Sequence, residues 1–212
     1  MAGRPRTVSD ADILEATERA ISRVGAGRLT LAQVAAEAGL AAPTLVQRFG
    51  SKRGLLLAFA RQGPLAARAH FDAVRRRHPS PVDALLAALS GMADRVASPE
   101  ALANHLTVLS LDLSDPEFHA LALEHAGTVR GELRALLAAA VQAGELRPLD
   151  AGRLATALQV AYNGALVTWA IHRQGRLDDW IRGQAELLLE PHRAATARLS
   201  RGGIRPRERR PG

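Results

Sequence analysis

The chain has 212 residues and no cysteine, which excludes disulfides, thiolate metal sites and cysteine nucleophiles. Hydrophobic residues make up 47% but aromatics only 3%, so Ala and Leu must fill the core, and that favours helix over sheet. The net charge of +7 is uneven: residues 1–78 carry 13 Lys and Arg against 6 Asp and Glu, residues 79–200 carry 10 against 14, and residues 201–212 carry 5 against 1. A basic head on an acidic body is the footprint of a nucleic-acid reader.

Residues 1–8 are basic and broken by Pro5, so they read as a flexible arm whose Arg4 and Arg6 are either solvated or in contact with DNA. Ser9 caps a first helix with Ile13, Leu14, Thr17, Ala20, Ile21 and Val24 on its apolar face, and Gly25-Ala26-Gly27 is expected to end it. Thr30 and Gln33 then form the reciprocal cap of a short helix reaching Ala38. Gly39 sits where a left-handed turn is cheap only for glycine. A second short helix, Ala42 to Arg48, carries Pro43 in its first turn, where a missing N–H costs nothing. Val34, Ala35, Leu40, Leu45 and Phe49 fall where two crossed helices press together, so the segment reads as a helix-turn-helix whose second helix enters a DNA major groove.

Thr30, Val34, Ala35, Ala38, Gly39, Leu40, Thr44, Leu45, Phe49, Ser51, Lys52 and Leu55 stand in the register of the DNA-binding region of the TetR family of bacterial transcriptional regulators, which the segment resembles. Three positions depart from that pattern. Val46 replaces an aromatic, Arg48 replaces a His or Tyr, and Ala41 replaces a capping Ser at a cost of about 1 kcal/mol of helix stability. They point to a differently tuned grip on DNA.

Ser51 starts a long helix to about His78, ended by Pro79, with Gly63-Pro64 expected to kink or interrupt it. Pro81 to Ala97 reads as the next helix, Ser98-Pro99 starts another, and Asp115-Pro116 opens a longer one to about Ala143. Asp150 to Gln174 is apolar on two faces: Leu154, Leu158, Ala161, Ala165 and Trp169 on one, and Ala157, Val160, Gly164, Val167 and Ile171 on the other. Such a helix is buried from two sides, one of them a partner subunit. This segment also resembles the C-terminal half of many TetR-family members. Leu177 to Glu190 is the last clear helix, and residues 201–212 read as a disordered basic tail.

The expected fold is all-α, about nine helices: an N-terminal three-helix helix-turn-helix domain over residues 1–55, a helical ligand-binding and dimerisation domain over 56–200, and the tail. Thr44 and Gln47 are the candidates for base edges, Pro43 for a thymine methyl, Arg48 for a base or a phosphate, and Thr30 and Lys52 for phosphates. The resemblance implies a pocket among the C-terminal helices where a small-molecule inducer of unidentified structure triggers release. Thr156, Gln159 and Asn163 make a polar stripe that lines such a pocket with Asn104, His105, Phe118, Tyr162 or Trp169, or else lies at a dimer seam or is satisfied in the core. The seam itself is assigned to Val160, Gly164, Val167, Ile171 and Leu187.

No cofactor is expected. His119 and His125 stand six apart on different helix faces, a poor metal site, and no catalytic triad or metalloprotease motif is recognisable. No apolar run approaches the roughly 18 residues of a membrane span and no signal peptide opens the chain, so the reading is cytoplasmic with no membrane partner. The expected function is therefore a homodimeric, ligand-responsive repressor of a palindromic DNA operator. A helical interaction bundle with a weakened head and a helical enzyme are the alternatives.

Overall fold

The computed structural model describes residues 8–94 and 96–194. Among the described residues the chain forms nine α-helices and a closing 3-10 turn: α1 (Asp10–Arg28), α2 (Leu31–Glu37), α3 (Ala42–Phe49), α4 (Lys52–Arg77), α5 (Pro81–Met92), α6 (Pro99–Ser114), α7 (Pro116–Gln142), α8 (Ala151–His172) and α9 (Leu177–Leu189). Arg4, Arg6 and the expected tail lie outside the described residues.

Local chemistry sets most helix starts. Ser9 and Thr30 both close capping boxes, with Asp12 and Gln33 as reciprocal partners. Ser51, Ser80, Ser98, Asp115 and Asp150 each accept backbone N–H bonds at the starts of α4, α5, α6, α7 and α8. Ala41, with no oxygen to offer, caps α3 with nothing.

Three helices differ from the sequence expectation, each for a tertiary reason. α1 does not end at the Gly-Ala-Gly run: Gly25 breaks the geometry at φ 75°, ψ 154°, and one more turn follows to Arg28. There the side chains of Asn104 and Thr107 press on Gly25, and Thr107 Oγ1 accepts from Ala26 N at 2.7 Å, replacing the lost helix bond. α4 runs through Gly63-Pro64 without interruption. Pro64 forfeits one backbone bond, but it is buried in a seven-residue stripe with Leu57 and Phe71, and packing of α4 on α7 and α5 carries the helix past it. α5 stops at Met92 rather than Ala97, where the imidazole of His70 crowds Gly91 and donates from Nε2 to the Ala88 carbonyl at 2.9 Å.

Two apolar clusters result. The head core joins Ile13, Ile21, Val34, Ala35, Leu45, Leu55, Leu56 and Leu57, and it takes in Phe118 from α7. The body core joins Phe71, Leu85, Leu89, Leu133, Leu137, Leu158, Trp169 and Ile181 from α4, α5, α7, α8 and α9. The head core thus extends past residue 55 and is roofed by the body's own helices, with Val108, Leu111 and Leu121 packed on it. α6 buries only Leu102 fully and bridges the two units. An isolated antiparallel bridge between Leu146 and Arg193 ties the segment after α9 beside the α7–α8 turn.

α8 corrects one further expectation. An 18-residue window within its 22 residues has a mean hydropathy of 1.2, long and apolar enough to cross a membrane by length and composition, although the sequence reading found no such run. Its inner face, Leu154, Ala155, Leu158, Ala165 and Trp169, is nevertheless buried in the body core.

Candidate nucleic-acid interface and the body face behind it

The turn between α2 and α3 is a Schellman closure. Gly39 takes φ 68°, Leu40 N bonds Ala35 O at 2.8 Å, and Gly39 N bonds Ala36 O at 3.2 Å. Leu45, fully buried, pins α3 into the head core, and Phe49 packs beside it. The helical period then turns Pro43 and Gln47 outward, with Thr44 half-buried next to them. Neither Thr44 Oγ1 nor the Gln47 amide bonds to protein among the described residues, so both keep donor and acceptor capacity. Val46, 49% exposed, lies on the flank where the resemblance leads one to expect an aromatic.

Arg48 is placed elsewhere than expected. One guanidinium nitrogen donates to the Val8 carbonyl at 2.8 Å and the other pairs with Asp10, so the side chain turns back to the start of α1. It braces the recognition helix and does not join Thr44 and Gln47. Thr30 is exposed, its Oγ1 accepting from Gln33 N at 3.2 Å. Lys52 Nζ donates to Gly27 O at 2.7 Å at the first turn of α4. It has no acidic partner among the described residues, whereas most of the head's arginines are committed: Arg19 and Arg23 to Glu37, Arg53 to Asp115 and Glu117, Arg61 to Glu117. Bonds from Arg19 and Arg23 hold the Glu37 carboxyl below its ordinary range.

Two functional residues escaped the sequence reading. A Cβ on Gly54 would lie 2.1 Å from the Phe49 carbonyl oxygen, so the turn that aims α3 requires glycine there. Arg53 fastens head to body, donating to both Asp115 oxygens, at 2.9 and 3.0 Å, and to Glu117 at 2.9 Å, and lying 5.7 Å from the Phe118 ring centroid. The Arg53 bonds are the first cause of a depressed Asp115 carboxyl. The partners are 62 and 64 residues away, beyond any local signal.

The expected ligand residues do not converge. Asn104 Nδ2 donates to Ser22 O and His105 Nε2 meets Ser22 Oγ, both at 2.9 Å, so these two face α1. Phe118 is 2% exposed in the head core. Gln159 ties α8 to the Ala126 carbonyl of α7, Trp169 donates to Gly175 O, and Tyr162 packs on the body core, where burial pushes its phenol well above the ordinary value. Thr156 and Asn163 are exposed. Those two share the outer face of α8 with Val160, Gly164, Val167 and Ile171, which are exposed as well. Val160 is 65% exposed, Ile171 74% and, on α9, Leu187 67%. Nothing lies within 4 Å of a Cβ built on Gly164.

Residues 13–59 match the family model "Bacterial regulatory proteins, tetR family". No curated protein matches the chain. Among solved structures, a TetR transcription regulator from Haloarcula marismortui superposes with a TM-score of 0.71 at 20% identity, over 87% of this chain and 97% of that one. SmeT, the repressor of the Stenotrophomonas maltophilia multidrug efflux pump SmeDEF, gives 0.65 at 19% identity, over 88% and 91%. FadR from Bacillus subtilis, in complex with stearoyl-CoA, gives 0.67 at 20%, over 85% and 98%. At these identities the likenesses bear on the fold. The matched segment is the head, α1 to the start of α4, and the fold of the described chain is that of these solved regulators.

Proposed function

We propose that this protein is a cytoplasmic repressor that binds a two-fold symmetric operator as a homodimer and leaves it when a small molecule binds. The observation that carries the reading is the outer face of α8 and α9. Val160, Val167, Ile171 and Leu187 stand in water on the body, and a second copy laid on the same face covers them symmetrically. Gly164 lets two α8 backbones approach closely, and Thr156 and Asn163 take places in that seam. The two heads then read half-sites about 34–36 Å apart. Gln47 and Thr44 address base edges and Pro43 a thymine methyl. Thr30 and Lys52 take phosphates, while Arg48 holds the recognition helix to α1.

Two structural neighbours support the regulatory half of the reading, one a repressor of an efflux pump and one solved with an acyl-CoA. Selection of duplexes from a random library with the full-length protein tests the reading. The expected product is an inverted repeat, bound as one dimer per duplex. Enrichment of asymmetric single sites would overturn it.

A further inference from the structure

A cleft of about 630 Å3 opens between head and body, and none of the residues expected to bind the effector except Phe118 lines it. The volume is that of a small-molecule site. Leu56 of α4, Leu111 of α6 and Phe118 of α7 supply apolar wall, and the α1 end at Ala26 and Gly27 closes one side. The polar groups on it are almost all spoken for. Thr107 Oγ1 accepts from Ala26 N and donates to Asn104 O at 2.6 Å. Asp115 is neutralised by Arg53, whose Nε and Nη2 both donate to it while Nη1 goes to Glu117. Lys52, the chain's only lysine, and the exposed Ser110 hydroxyl are the exceptions, and Lys52 Nζ has one bond to Gly27 O and two N–H donors left over.

An apolar cleft with one uncompensated ammonium at its rim has the complement of a small amphiphilic monoanion. We propose that the cleft binds such a ligand, its apolar part against Leu56, Leu111 and Phe118 and its carboxylate on Lys52 Nζ. The two walls belong to different units, Leu56 and Lys52 to the head and Leu111 and Phe118 to α6 and α7, so an occupant sets their spacing. It also takes the ammonium assigned above to a DNA phosphate. This consequence, though not the binding itself, rests on the ligand-released repressor reading.

Isothermal titration of the full-length protein with octanoate, octan-1-ol and octylamine tests the site. Octanoate is expected to bind once per chain, about tenfold or more tighter than the alcohol or the amine, the effect of one hydrogen-bonded charge pair. Lys52→Gln should erase that preference and Lys52→Arg should keep it. Ser110→Trp, at an exposed position on the cleft, should block octanoate while the helical circular dichroism and its melting stay unchanged. Equal affinity for the three probes, no octanoate binding, or binding indifferent to Ser110→Trp overturns the proposal. Octanoate that binds in the expected pattern without weakening operator binding in anisotropy upholds the site and refutes release through it.

Discussion

Gly25 is where the structure makes its most local demand, and replacing it by alanine measures how firmly head and body are joined. Its φ of 75° and ψ of 154° lie in a region that only glycine occupies freely, at a cost of roughly 1–3 kcal/mol for a residue with a side chain. The new methyl would also stand 3.2 Å from both Asn104 Oδ1 and Thr107 Oγ1. Those side chains bond Ser22 O and Ala26 N, so yielding weakens two hydrogen bonds of about 1 kcal/mol each. The sum is about 2–4 kcal/mol. In urea, with a slope of about 1–3 kcal/mol per molar, the midpoint should fall by roughly 1 M or more. Gly27→Ala is the internal control: its φ is not positive, a Cβ there meets nothing within 4 Å, and it should be neutral or stabilising by up to about 1 kcal/mol. A Gly25→Ala midpoint equal to wild type, or a Gly27→Ala loss of the same size, refutes the reasoning.

Other perturbations separate the remaining roles. Thr44→Ala and Gln47→Ala should each cost about 1–3 kcal/mol on the selected operator and relax preference at one position, whereas Lys52→Ala should weaken all sequences alike and lower the salt slope by about 1; anisotropy across salt concentrations reads both. Asp150 Oδ1 accepts from Gly152 N and Arg153 N at 3.0 Å, so Asp150→Ala should lower stability by about 1 kcal/mol in urea titration with no change in subunit number. The Asp115 carboxyl is depressed in the folded chain, so its contribution is complete above the unfolded value of about pH 4 and disappears as pH falls through the lower folded value. Melting temperatures from pH 6 to pH 3 should therefore fall less in Asp115→Asn than in wild type, and parallel curves would contradict the Arg53 link.

What was legible in the sequence was local. Ser9 with Asp12 and Thr30 with Gln33 carry their partners within one turn, and Gly39 announces its own backbone, so the head could be drawn from spacing alone. The apolar faces of α8 were legible for the same reason, because period alone separates Leu158 from Ile171. What failed depended on residues far apart in the chain. Pro64 ought to break a helix, but burial on α7 and α5 holds it. Arg48 looked free until Asp10 came beside it, and Asn104 and His105 looked like pocket residues until α6 was laid against α1. Phe118 was assigned to the body by its position in sequence and lies in the head core. The polar stripe of Thr156, Gln159 and Asn163 divided because Gln159 faces α7 while the other two face out.

The central claim is that two copies join through α8 and α9 and that only the pair reads DNA. Gly164→Arg tests it most directly, since the position is exposed with open space around it and the substitution leaves each chain's own packing untouched. In a dimer the same arginine would be driven into the apolar seam, at a cost on the order of several kcal/mol. Sedimentation velocity and operator anisotropy on one preparation give the answer. The account predicts a helical monomer that no longer binds its operator although the head is unaltered. A Gly164→Arg protein that sediments as a dimer and binds the operator with wild-type affinity contradicts it.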